Sequence, residues 1–129
     1  MNKILVEVSV GELLDKISIL EIKQEKIKDA ESLKFIKDEY DVLKSELDKN
    51  IKTDENLKNL FNSLKEINSK LWVIEDDKRM CEKNKDFGEK FIKLSRDVHF
   101  LNDNRAKIKL EINKLTGSKI KEIKEYTSY

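Results

Sequence analysis

Apolar residues recur along this chain first with a period of two and then with a period of three to four. In residues 3–10, Ile4, Val6, Val8 and Val10 alternate with Leu5, Glu7 and Ser9. That is the period of a strand, and its branched side chains favour one. A lone strand is unstable in water, so the pattern predicts a partner strand elsewhere. The 3–4 rhythm then predicts four helices, over 10–29, 31–50, 55–84 and 87–116. The first carries Leu13, Ile17, Leu20, Gln24 and Ile27, widened by Leu14, Ile19 and Ile22. So wide a stripe predicts the most buried helix of the set. The second carries Leu33, Ile36, Tyr40, Leu43 and Leu47. The third carries Leu57, Leu60, Leu64, Ile67, Leu71, Ile74, Lys78 and Cys81. The fourth, Phe87, Phe91, Leu94, Val98, Leu101, Arg105, Ile108, Ile112 and Leu115, alternates steps of 4 and 3 without a slip. This is a coiled-coil rhythm, and it pairs helices three and four as a long hairpin.

Boundary residues agree with the stripes. Ser9 and Glu12 have capping-box spacing. Asp54 or Thr53 suits the cap of the third helix. Asp86 caps the fourth, with Gly88 relaxing the turn and Glu89 completing a box, and Gly117 is its C-cap. Residues 119–127, with Ile120 and Ile123, are read as the short strand that pairs with the first. The expected fold is therefore all-α: one domain over 1–129, a four-helix antiparallel bundle with a short terminal strand pair.

Composition sharpens this. Of 129 residues, 41% are charged against a usual ~25%. Yet 27 basic residues face 26 acidic ones, a net charge of +1. A DNA-coating or polybasic membrane protein needs a sustained field of one sign, so nucleic acid is not an expected partner. Residues 1–50 hold 9 basic and 12 acidic residues, and residues 101–129 hold 7 and 4, a mild polarity only. No apolar run reaches the ~18–20 residues of a membrane span, and no signal peptide is read at the start. The single cysteine, Cys81, excludes an internal disulfide and fits a reducing cytoplasm. With only two alanines, close helix approach through small residues is not expected, and the core falls to Leu, Ile and Phe.

Lysine outnumbers arginine 24 to 3, so arginines mark places where a planar, bidentate fork is required. Arg79, Arg96 and Arg105 lie within 27 residues, together with the only tryptophan, Trp72, the only histidine, His99, and the acidic run Glu75, Asp76, Asp77. A tight hairpin about residue 86 pairs positions whose numbers sum to about 172. Trp72 then meets Phe100, Arg96 meets Asp76 and Asp77, and Arg105 meets Ile67, Glu66 and Asn68. Arg105 is the polar break in its stripe. It is either a structural ion pair that sets helix register or a reader of a carboxylate or phosphate, and the structural pair is favoured. Cys81 and His99 fall ~12 Å apart on the hairpin, too far for a nucleophile and its base. Cys81 reads as a core thiol, and His99 as part of a surface triad with Arg96 and Asp103. One histidine and one cysteine provide no metal-ligand spacing. Glu12 and Asp15 form an ExxD pair, too common in acidic helices to predict a metal.

Three stretches carry a resemblance. They are Val8-Ser9-Val10-Gly11-Glu12-Leu13-Leu14-Asp15-Lys16-Ile17-Ser18-Ile19-Leu20-Glu21-Ile22-Lys23, then Trp72-Val73-Ile74-Glu75-Asp76-Asp77-Lys78-Arg79, then Asn102-Asp103-Asn104-Arg105-Ala106. Together they resemble a family of short, uncharacterised helical proteins of bacteria and large viruses. The resemblance implies no activity. It does imply that Asp15, Lys16, Glu21, Lys23, Glu75, Asp76, Arg79 and Arg105 belong to one surface or core network.

The sequence thus points to a non-catalytic helical interaction or assembly module with no cofactor. Its partner is a second copy, or another protein, met through helical faces. The alternative is a small helical enzyme or anion-binding protein using Arg79, Arg96 and Arg105. Its wider set of ligand-binding candidates adds Glu75, Asp76, Asp77, Trp72 and His99.

Overall fold

The computed structural model describes residues 2–120, 123–125, 127 and 128. The described residues form four helices: α1 (Val10–Lys26), α2 (Ala30–Asn50), α3 (Glu55–Lys83) and α4 (Glu89–Thr116). Each starts and stops for a local reason. Ser9 is extended, and its hydroxyl accepts the Glu12 N–H at 3.0 Å, satisfying one orphan donor of α1. Asp29 does the same for α2, accepting the Ser32 N–H at 2.9 Å. Because Asp29 must be extended to cap α2, α1 ends at Lys26 and not at the expected Asp29. Asp54 accepts the Leu57 N–H at 2.8 Å and starts α3. Gly88, and not Asp86, is the N-cap of α4; Asp86 accepts the Gly88 N–H at 3.2 Å and tightens the turn. Gly117 closes α4 at φ 65°, where a β-carbon would be strained.

Helix α1 is the centre of the molecule. It packs on α2, α3 and α4, whereas α2 runs closest to α1 and α3 pairs with α4. Seven of its 17 residues are buried, against two of 21 in α2. The core joins Leu14 and Ile17 of α1 to Leu47 of α2, Leu57 and Leu64 of α3, and Ile112 of α4. At ~1.5 Å per residue α3 is about 43 Å long and α1 about 25 Å, so the α3–α4 hairpin outruns its support. On the hairpin Val73, Met80, Phe87, Ile92 and Phe100 are exposed, while Cys81 is a buried free thiol.

Two expectations are corrected. The terminal strand pair does not form: among the described residues there is no strand. Residues 2–8 run free of regular structure, with Ile4, Leu5 and Val6 exposed. Of the proposed partner, Lys121, Glu122 and Tyr126 lie outside the described residues, and the rest is not a strand. An alternating pattern specifies a strand only when a neighbour satisfies its backbone, and among the described residues none does. Second, helices do approach through a small residue. A β-carbon on Gly11 would stand 2.6 Å from the Lys109 carbonyl oxygen and 3.0 Å from Asn113 Oδ1. The Gly11 N–H donates to Asn113 Oδ1 at 2.7 Å across this crossing.

Gly11→Ala should therefore destabilise the fold, although alanine is the better helix former by about 1 kcal/mol. Parting α1 from the α4 backbone costs about 1–3 kcal/mol. Urea unfolding should show a net loss; a net gain would mean that the crossing has slack.

Candidate functional site

Above the apolar core lies a polar layer contributed by three helices. Asp15 of α1 is its hub, with a side chain only 2% exposed. A buried carboxylate persists only when its lone pairs are occupied. Arg105 of α4 donates Nη2–H to Oδ2 at 2.7 Å and Nε–H to Oδ1 at 3.1 Å, the bidentate fork that lysine lacks. Asn68 of α3 donates to Oδ1 at 2.8 Å and to Ser18 Oγ at 2.8 Å. Ser18 in turn donates to the Asp15 carbonyl oxygen. Lys109, one turn after Arg105, donates to Glu12 Oε2 at 2.7 Å and stands 4.0 Å from Asp15 Oδ2. Both members of the ExxD pair thus hold protein cations. Their lone pairs are directed at Arg105 and Lys109.

Beside this layer, between α1 and the middle of α3, is a cleft of about 420 Å³. Ile19, Ile22, Leu71 and Trp72 form its apolar wall; Asn68, Arg105, Glu75, Asp76 and Arg79 supply its polar groups. Five of the eight residues singled out by sequence are gathered here: Trp72, Glu75, Asp76, Arg79 and Arg105.

The other three are elsewhere. Asp77 is half-buried and does not line the cleft. Arg96 lies over the Phe100 ring at 6.0 Å. The His99 ring is tilted against Phe100 with centroids 4.3 Å apart.

The cross-hairpin partners differ from expectation. Among the described residues no ion pair joins Arg96 to Asp76 or Asp77, and Trp72 has no ring contact with Phe100. Glu66 pairs with Lys70 at 3.5 Å and not with Arg105. Hairpin arithmetic predicts the level of a residue along the rod but not its direction around it. Arg105 turns towards α1, and Phe100 towards the opposite side with Val73 and Asp97.

Sequence reasoning placed Asn68 level with Arg105, and the resemblance put Asp15 in one network with it, but Ser18, Lys109 and Glu12 were missed as partners. One signal was present: Gly11, Asp15, Ser18 and Ile22 step 4, 3, 4 and form a second buried stripe on α1. Of the network implied by the resemblance, Asp15 meets Arg105, and Glu75, Asp76 and Arg79 border the same cleft. Lys16 pairs instead with Glu12 at 3.8 Å, and Glu21 with Lys65 at 3.1 Å.

Other polar contacts belong to the outer surface. Lys65 bridges Glu21 and Glu25, whose carboxylates hold its pKa above the ordinary lysine value, and Lys65 lowers that of Glu25. Burial and the Glu21 charge raise the Tyr40 hydroxyl. Among the described residues no helix is long and apolar enough to cross a membrane, and no three His, Cys, Asp or Glu side chains could hold a metal together.

Residues 4–129 match the family of unknown function DUF6165, and the chain belongs to that family. No curated protein and no solved structure matches it.

Proposed function

Starting from membership of a family with no assigned activity, we propose that the chain is a non-catalytic assembly module that works as a homodimer. The observation that carries this reading is the segment before α1. Ile4, Leu5 and Val6 are 87%, 84% and 74% exposed, immediately ahead of the buried N-cap Ser9. Three consecutive apolar side chains held in water are a cost that a partner removes.

The segment is complementary to itself. Pairing two copies antiparallel about Leu5 sets Lys3 opposite Glu7 twice and Ile4 opposite Val6 twice. Ile4, Val6 and Val8 then form one apolar face of a symmetric ribbon. A two-stranded ribbon is marginal alone, so that face needs backing. Exposed Leu115 and Ile120 lie at the same end of the molecule, where Ser118 Oγ accepts the Val10 N–H. Helical faces of the two copies complete the contact.

The pairing of Glu12 and Asp15 with Lys109 and Arg105 supports a structural rather than a catalytic use of the α1 acids.

Sedimentation equilibrium at micromolar concentration tests the proposal, with a dimer as the expected result. Lys3→Glu should weaken the dimer about tenfold, because two favourable cross-strand pairs become repulsive. Adding Glu7→Lys should restore it. A monomeric wild type, or a dimer indifferent to all three sequences, overturns the proposal.

A further inference from the structure

We propose that the α1–α3 cleft binds a small organic cation: an ammonium group carried on an apolar body. This inference is independent of dimerisation, and it reverses the sign expected of a site picked out by its arginines.

The charge balance decides the sign. Arg105 lines the cleft, but its fork is engaged by Asp15 at 2.7 Å and 3.1 Å, so its charge is countered within the protein. An anion would have to draw it from a carboxylate that is 2% exposed, leaving that carboxylate without its fork. What remains at the rim is Glu75 and Asp76 against Arg79, a net charge of −1. Among the described residues neither acid forms an ion pair, although Arg79 stands three and four residues further on, where helical pairs form.

The wall agrees with this sign. Indole is the best aromatic partner for a cation. The fold already places cations over two phenylalanines, Lys78 over Phe91 at 5.8 Å and Arg96 over Phe100 at 6.0 Å. Among the described residues no lysine or arginine lies over Trp72, which lines the cleft together with Leu71 and Ile22. An apolar wall, an available indole face and two adjacent carboxylates select a cation with a hydrophobic body. A cleft of about 420 Å³ is within the ~300–1,000 Å³ of small-molecule sites.

Trp72 is the only tryptophan, so its fluorescence reports this cleft alone. The full chain is titrated with phenethylammonium, and separately with phenylacetate, which carries the opposite charge on the same body. A saturable change is expected with phenethylammonium, half complete near 1 mM, about −4 kcal/mol. Phenylacetate should produce none. Glu75→Gln with Asp76→Asn should weaken the cation response about tenfold; both sites are exposed, and calorimetry provides a second readout on the same variant. Absence of saturation by 10 mM, an equal response to phenylacetate, or an unchanged double variant overturns the proposal. The oligomeric state, measured on the same samples, keeps this outcome separate from that of the dimer.

Discussion

Asp15→Ala should unfold at much lower urea than the wild type, with a loss of about 3–5 kcal/mol. The carboxylate is the acceptor for Arg105 and Asn68 and lies 4.0 Å from Lys109, so its removal strips α3 and α4 of their common partner on α1. The penalty arises from what stays behind. Asn68 is buried, and its amide keeps only Ser18 as an acceptor. Lys109 keeps Glu12 but loses the second negative charge. Arg105, with 30% of its side chain exposed, can turn to solvent, which places the loss towards the lower end of the range. Asp15→Leu combined with Arg105→Met should recover only part of the stability, because the pair is replaced by packed apolar groups while Asn68 and Lys109 still lack the carboxylate. A double-mutant cycle separates the two terms. A loss below about 1 kcal/mol for Asp15→Ala would mean that the polar layer is not structural.

Leu64→Ala should cost about 3–4 kcal/mol, within the 2–5 kcal/mol typical of buried leucines. Leu64 is 0% exposed and belongs to a cluster drawn from all four helices. Its neighbours Leu14, Ile17 and Ile112 are held by caps, by the Gly11 crossing and by the Asp15 layer, so they cannot close the cavity. Phe100→Ala, a larger truncation on the exposed hairpin face, should cost under about 1 kcal/mol in the monomer. Urea unfolding of both variants at one protein concentration tests this ranking, and equal losses would contradict the position of the core.

Capping chemistry was legible at three helix ends and misread at Asp86. Ser9 with Glu12, Asp54 and Gly117 act locally, within four residues, and local chemistry survives folding unchanged. The apolar stripes were legible for the same reason. Residues 3–10 read as a strand because alternation reports only what a segment could do if paired. The cleft was half legible: scarcity drew attention to Trp72, Arg79 and Arg105, whereas Asp15 beside it was marked only by the ExxD pair and the resemblance.

The division has one physical cause. Periodicity, caps and the level of each residue along the α3–α4 hairpin follow from neighbours in sequence, so the sequence alone determines four helices and a long hairpin. Which way Arg105 points, that Asp15 and not Glu66 receives it, and that Gly11 admits the α4 backbone depend on how α1 crosses the hairpin. That crossing is set by the joint packing of Leu14, Ile17, Leu64 and Ile112, residues distant in sequence that meet only once the chain has folded.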